Sequence, residues 1–191
     1  MYAVLGEDKS DVETIKELIF RIANNRSLTI KCHGYSSCGE MLRKGAMQLQ
    51  MFKEIGCKRF IICYDSDRAD PEERKQSIID DIIKPAGFDA IFCALVPIQE
   101  IEAWILADIN AVTNIIKGWA PTKEITNPES IQDPKEHLEK MSRERQRPRY
   151  SHAIHNPKIA KYLNIQLVAK RCPSFLPLMN IVSHGKGNIN E

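Results

Sequence analysis

The chain has 191 residues, 43% hydrophobic and 27% charged, with 27 Lys/Arg against 25 Asp/Glu and a formal net charge of +2. Such a chain buries a real core and is neither disordered nor fibrous. It holds no apolar run near the roughly 18–20 residues of a membrane span, and Glu7 comes too early for a signal peptide.

Residues 2–5 are short, apolar and followed by Gly6, which predicts a buried strand. Ser10-x-x-Glu13 reads as a capping box opening a helix that turns Val12, Ile15, Leu18, Ile19 and Ile22 inward. A second strand is expected over 28–32. Ser37-x-x-Glu40 opens another helix, with Leu42, Ala46, Leu49, Phe52 and Ile55 inward and Gly56 as its stop. Residues 59–64 form the third strand. Asp70-Pro71-Glu72-Glu73 then combines an N-cap, a first-turn proline and acids at the positive dipole end. Ile78, Ile79, Ile82 and Ile83 face inward until Pro85-Ala86-Gly87, and 90–96 is the fourth strand.

The order β-α-β-α-β-α-β with continuously apolar strands predicts an α/β fold, a parallel four-stranded sheet with helices on both faces. Ligands bind such sheets at the carboxyl ends of the strands. Glu7 follows the first strand there, and Asp65 and Asp67 follow the third. In 98–108, IQEIEAWILAD, helical spacing places Ile98, Ile101, Trp104, Ile105 and Leu106 on one face. Glu102 falls inside that face, where a carboxylate is costly unless paired or bound to a cation. Gln99 and Glu100 fall outside it, and Glu100 is expected in solvent.

Past residue 117 the pattern is less regular. Helices are expected over 128–145 and 157–170, with a frayed end from 183. Residues 1–116 carry 14 Lys/Arg against 18 Asp/Glu, whereas 117–171 carry 12 against 6. The division expected is an acidic metal-binding domain, 1–116, and a basic, mainly helical C-terminal extension, 117–191. Arg143, Arg145, Arg147 and Arg149, with Tyr150 beside them and Lys158, Lys161, Lys170 and Arg171 beyond, are the candidate nucleic-acid contacts, since guanidinium forks suit phosphate. A solvated helical surface accounts for the same charges equally well.

The carboxylates carry the chemistry. Acidic oxygens with water and phosphate suit Mg²⁺ or Mn²⁺, and phosphodiester cleavage needs charge neutralised on the nonbridging and leaving oxygens. Glu7, Asp65, Asp67 and Glu102 are the candidate ligands and catalytic acids, with Asp11 and Asp70 as marginal additions. Lys9, beside Glu7, is the candidate catalytic cation. Aspartates also cap helices, and that is the plain reading of Asp70. His152-x-x-His155 lacks a nearby Cys or carboxylate partner in sequence, and Cys32-His33 with Cys38 lacks zinc spacing. No Gly-rich phosphate loop is present, so ATP binding is not expected. Six scattered cysteines without C-x-x-C, two of them (Cys63, Cys93) in apolar runs, point to reduced thiols and a cytoplasmic protein.

A D-x-D motif also occurs in haloacid-dehalogenase-type phosphatases, but after the first strand, and in nucleotide-sugar transferases of longer chains. VLGEDKSD and YDSDRAD, at strands one and three, resemble the Toprim family, shared by topoisomerases, primases and OLD (overcoming lysogenization defect) nucleases. EIEAWILAD is similar to a segment of small stand-alone Toprim-like proteins encoded beside ATPases and associated with phage defence. The resemblance spans about residues 1–110 and departs in one respect: Gly6 precedes Glu7, where the family often has Gly after the glutamate. It implies a Toprim-like fold and a Mg²⁺- or Mn²⁺-dependent nuclease with a separately encoded ATPase partner; DNA is favoured over RNA as its substrate, with the choice between them left open by the sequence. Two other expectations stay open: a non-catalytic Toprim-like binding module, and a metal-dependent phosphatase or phosphotransferase on a small molecule.

Overall fold

The computed structural model describes residues 1–121, 123–145 and 149–183, with only the backbone for 143–145. Four parallel strands, β1 (Tyr2–Gly6), β2 (Ile30–Gly34), β3 (Arg59–Cys63) and β4 (Ile91–Leu95), lie in the order β2-β1-β3-β4. The register pairs Leu5 with Ile62 and Ile62 with Ala94, so β1 and β3 end side by side at the centre of the sheet. The chain folds as the expected α/β sheet with helices on both faces and a mainly helical C-terminal extension.

The sheet alternates between two cores. Val4, Ile61, Cys63, Cys93 and Leu95 face one; Ala3, Leu5, Phe60, Ile62, Phe92 and Ala94 face the other. Helix α1 (Lys9–Ile22) covers the first face. Helix α2 (Cys38–Glu54), helix α3 (Pro71–Ile78), the π-turn Ile79–Ile83 and the short α4 (Lys84–Ala86) cover the second. The edge strand β2 departs from the apolar pattern: it shifts two residues along from the expected 28–32, and none of its residues is fully buried.

Capping follows the expected chemistry with one correction. Ser37 and Asp70 cap α2 and α3, accepting from the backbone N–H of Glu40 and Glu72. Helix α1 is capped by Asp8, not Ser10: its carboxylate accepts from Ser10 and Asp11 N–H at 2.5 and 3.0 Å. A carboxylate at the positive helix end outcompetes a hydroxyl two residues on. Ile55, expected inward, is 52% exposed, because α2 ends at Glu54.

Helix α5 (Glu102–Ala107) is shorter than 98–108, and every residue of it is buried. After it come α6 (Pro134–Arg145), α7 (His152–Ile159), α8 (Ile165–Arg171) and α9 (Leu176–Ser183). These do not stand apart. Leu138, Ile159, Val168, Phe175 and Ile181 share one apolar cluster with Val4, Ile15 and Ile61, and α7 packs on α1 and α9 on β4. Arg21 ties α1 to the end of α7 by donating to the carbonyls of Ala160, at 2.9 Å, and Leu163. All six cysteines are free thiols. Among the described residues no helix is long and apolar enough to cross a membrane.

Candidate metal centre

Pairing between β3 and β4 continues past the strand ends. Tyr64, Ser66 and Asp67 donate their N–H groups to the carbonyls of Leu95, Pro97 and Gln99 at 3.0–3.1 Å. Ser66 is 1% exposed, and its hydroxyl accepts from Gln99 N–H at 2.7 Å. The residue between the two aspartates is therefore a brace that locks the two loops together. Asp67, Arg68 and Gln99 all hold positive φ (45°, 68° and 64°). Three non-glycine residues in that region on two joined loops mark stored backbone strain of the kind found at functional sites.

The structure brings Glu7, Asp65, Asp67 and Glu102 to this one end of the sheet. Glu7 Oε1 accepts from the backbone N–H of Asp65 at 2.9 Å. Burial pushes Glu7 up to about 7, and the charges of Asp67 and Asp8 push the same way. Asp65 is raised well above the usual range by burial and then by Asp11, Glu102, Glu7 and Asp67. Glu102 is 2% exposed and pushed up to about 7 by burial, with Lys135 opposing. Asp67, at the exposed edge, is raised by partial desolvation and by Glu100. Asp11, a marginal residue in sequence, is 8% exposed and raised by burial and by Asp8, Glu102 and Glu7, so it is a full member of the cluster.

Cations reach the cluster from places the sequence did not single out. Burial works against the charge of Lys135, yet Glu102, Glu100 and Asp65 hold it above the ordinary lysine range. Its ammonium lies 3.3 Å from Glu100, and its N–H donates to the other Glu100 oxygen at 2.9 Å. Glu100 is therefore paired at the site and not in open solvent. Arg74 donates to the Tyr64 hydroxyl and to Ser66 O, and its charge acts on Glu7 and Asp67. Lys9, the cation expected from sequence, is the exposed first residue of α1. Asp70 caps α3 and is exposed.

The C-terminal helices complete the wall. Asn156 Nδ2 donates to Glu102 Oε1 at 3.0 Å, and the Tyr150 hydroxyl donates to Asn156 Oδ1. Tyr150 is 4% exposed and is a structural support, not a surface for bases. His152 Nε2 stands 4.0 Å from Asp8 Oδ2, while His155 Nδ1 accepts from Ser151 N–H, so the two histidines do separate work. Arg149 is exposed beside His152 in a small cavity of about 200 Å³. Arg171, counted among the basic contacts, donates to Ala107 O and pairs with Glu124 at 2.6 Å. Arg147 lies outside the described residues, as do the side chains of Arg143 and Arg145.

Among the described residues no three His, Cys, Asp or Glu side chains stand as a ready-made metal site. Glu7 accepts from Asp65 N–H, Asp8 from the α1 terminus and Glu102 from Asn156. The donor set nonetheless fits a hard cation. Among the described residues, the buried side-chain atoms without a hydrogen-bond partner are Ser10 Oγ, Tyr35 Oη, Asp65 Oδ1, Gln99 Oε1 and Trp119 Nε1. Three of these are oxygens on or beside the loops that follow β1, β3 and β4, and a buried carboxylate oxygen left unpaired is costly.

A family model with the description "Domain of unknown function (DUF4276)" matches residues 6–182. No curated protein and no solved structure matches the chain.

Proposed function

The chain belongs to the DUF4276 family, and we propose, from its own residues, that it is a Mg²⁺- or Mn²⁺-dependent phosphodiesterase that cleaves nucleic acid. The observation that carries this reading is Asp65 Oδ1, a buried carboxylate oxygen without a partner, set among the charges of Asp11, Glu102, Glu7 and Asp67. Asp65, Asp67 and Glu102 would hold the ion, with Asp11 as a further oxygen ligand. A bound divalent ion supplies charge neutralisation for the phosphate and leaving oxygens.

The chain's own residues divide the remaining work. Glu7, pushed up to about 7, sits near the pH at which a carboxylate can both take and give a proton. Its role is to accept a proton from the attacking water or return one to the leaving oxygen. Lys135 balances the acids from the α6 side, and Arg74 orients the D-x-D loop through Tyr64 and Ser66. Arg149, exposed beside His152 on the rim, is the described side chain placed to meet a phosphate backbone. The Toprim resemblance favours a separately encoded ATPase as partner in phage defence, and DNA is the substrate proposed ahead of RNA.

The test is calorimetric titration of Mn²⁺ into the protein, with cleavage assays on single-stranded DNA, duplex DNA and RNA. Metal binding and cleavage should both vanish in Asp65→Asn. Absence of metal binding at millimolar concentration would overturn the reading. Metal-dependent turnover of a small phosphate ester with intact nucleic acid would move it to the small-molecule phosphatases.

A further inference from the structure

On the second face of the sheet, along the edge strand β4, lies a cleft of about 870 Å³, lined by residues from the start of β3, from β4, from the end of α2 and from the π-turn after α3. The lining runs along β4 from Ile91 to Ala94 on the sheet face covered by α2 and α3, whereas the carboxylates sit on the loops beyond the carboxyl ends of the strands. The volume falls in the range of small-molecule sites, roughly 300–1,000 Å³.

The lining has two parts. Ile79, Ile83, Phe88, Ala90 and Ile91 are half-buried and form its apolar wall, backed by the buried Phe60, Phe92 and Ala94. Phe88 joins Phe60 and Phe92 in a trio of rings with centroids 5.3–5.6 Å apart. Around the mouth stand three exposed lysines, Lys53, Lys58 and Lys84, against one aspartate, Asp89. The Lys53 ammonium already lies 4.4 Å from the Phe88 ring centroid. The Lys84–Asp80 pair is exposed on both sides and therefore weak.

An apolar body that displaces water from such a lining gains the hydrophobic term. The basic rim selects what fills the cleft. A second copy docked by this face across a two-fold axis would bring lysines against lysines, and a phosphate backbone has no use for a recessed apolar wall. The geometry points to a binding site for a small amphipathic anion. Its aromatic or acyl body packs on Phe88, Ile79, Ile83 and Ile91, and its carboxylate or phosphate is held at the mouth by Lys53, Lys58 and Lys84. The site is independent of metal and of the cleavage chemistry.

Calorimetric titrations of naphthoate and of dodecanoate into the full chain, in metal-free buffer, test this. One saturable event per chain is expected, and the stronger of the two probes distinguishes an aromatic from an acyl body. Ala94→Trp fills the cleft and should abolish binding. Lys53→Gln/Lys58→Gln/Lys84→Gln, all at exposed positions that leave the fold intact, should weaken it about tenfold or more. No saturation with either probe overturns the site, as does affinity unchanged in the lysine variant. Sedimentation showing a wild-type dimer that the lysine or tryptophan variant dissociates would also overturn it, in favour of a face shared between copies.

Discussion

Asn156, on α7, donates its side-chain N–H to Glu102 Oε1, on α5, at 3.0 Å across 54 residues of sequence. The same Asn156 accepts from the buried Tyr150 hydroxyl. The extension is thus part of the acidic site's wall, and removing this one amide strands two buried polar groups. Asn156→Ala should cost about 1–3 kcal/mol, read as a lower urea midpoint. Asn156→Asp should be worse above neutral pH than below it, since it sets a second carboxylate against Glu102. Equal stability of all three proteins would detach α7 from the site.

The acidic cluster makes the metal-free protein less stable as pH rises. Glu7 and Glu102 are held at about 7 in the folded state, above the ordinary 4.5, chiefly by burial. Between those values the folded chain binds more protons than the unfolded chain. The stabilisation is fully present below about 4.5 and is lost as pH rises through about 7. Glu40, held at about 2 by Lys44 and Ser36, titrates below this window. Unfolding free energies from urea titrations in EDTA should fall from pH 5 to pH 8 by up to about 2–3 kcal/mol for each of the two groups. The fall should be smaller in Glu102→Gln, and Mn²⁺ should restore most of it in the wild type. A flat profile in both proteins would show that burial does not raise these acids.

Asp67→Asn should abolish metal-induced stabilisation while leaving metal-free stability unchanged or raised, because it removes one of the repelling charges. Asn is chosen because Asp67 sits at φ 45°, which Asn tolerates and Ala does not. Asp67→Ala should therefore lose about 1–2 kcal/mol that Asp67→Asn keeps. Thermal melts with and without Mn²⁺ separate the two effects.

Gly34, at the end of β2, lies against the turn that carries the α1 cap. A Cβ there would stand 2.5 Å from Asp8 C and O and 2.6 Å from Lys9 N, all backbone atoms that cannot swing aside. Gly34→Ala should cost about 1–3 kcal/mol and should weaken metal binding by displacing the loop after β1. Calorimetry on the folded variant should show the second effect. An unchanged Mn²⁺ affinity would mean that this loop does not shape the site.

If Arg149 meets a phosphate, Arg149→Gln should lower the slope of log affinity against log salt by about 0.7–0.9. Replacing Arg143, Arg145, Arg147 and Arg149 together should lower it further. Fluorescence titrations of labelled DNA at several salt concentrations read this directly, and an unchanged slope would return the arginines to a solvated surface.

Local chemistry made much of this molecule legible. Continuous apolar runs, capping residues and the glycine stops at Gly56 and Gly87 specify strands and helices within a few residues of one another. Their order demands a parallel sheet, and a parallel sheet puts Glu7 and Asp65 at one end. Glu102 was legible because a carboxylate on an apolar face is conspicuous in sequence. Its surroundings were not. Lys135, Asn156 and Arg74 are ordinary polar residues on helices, and no spacing marks them; they matter because α6 begins beside the acids and α7 and α3 pass them. The Asp8 cap defeated the Ser10 reading because competition between two nearby caps is settled by backbone geometry. Lys9 was near Glu7 in sequence but points from the outer start of α1, whereas Lys135 is distant in sequence and close in space. Periodicity reports which side of an element is buried; which charges meet across the core depends on how the helices pack, and only the tertiary structure holds that.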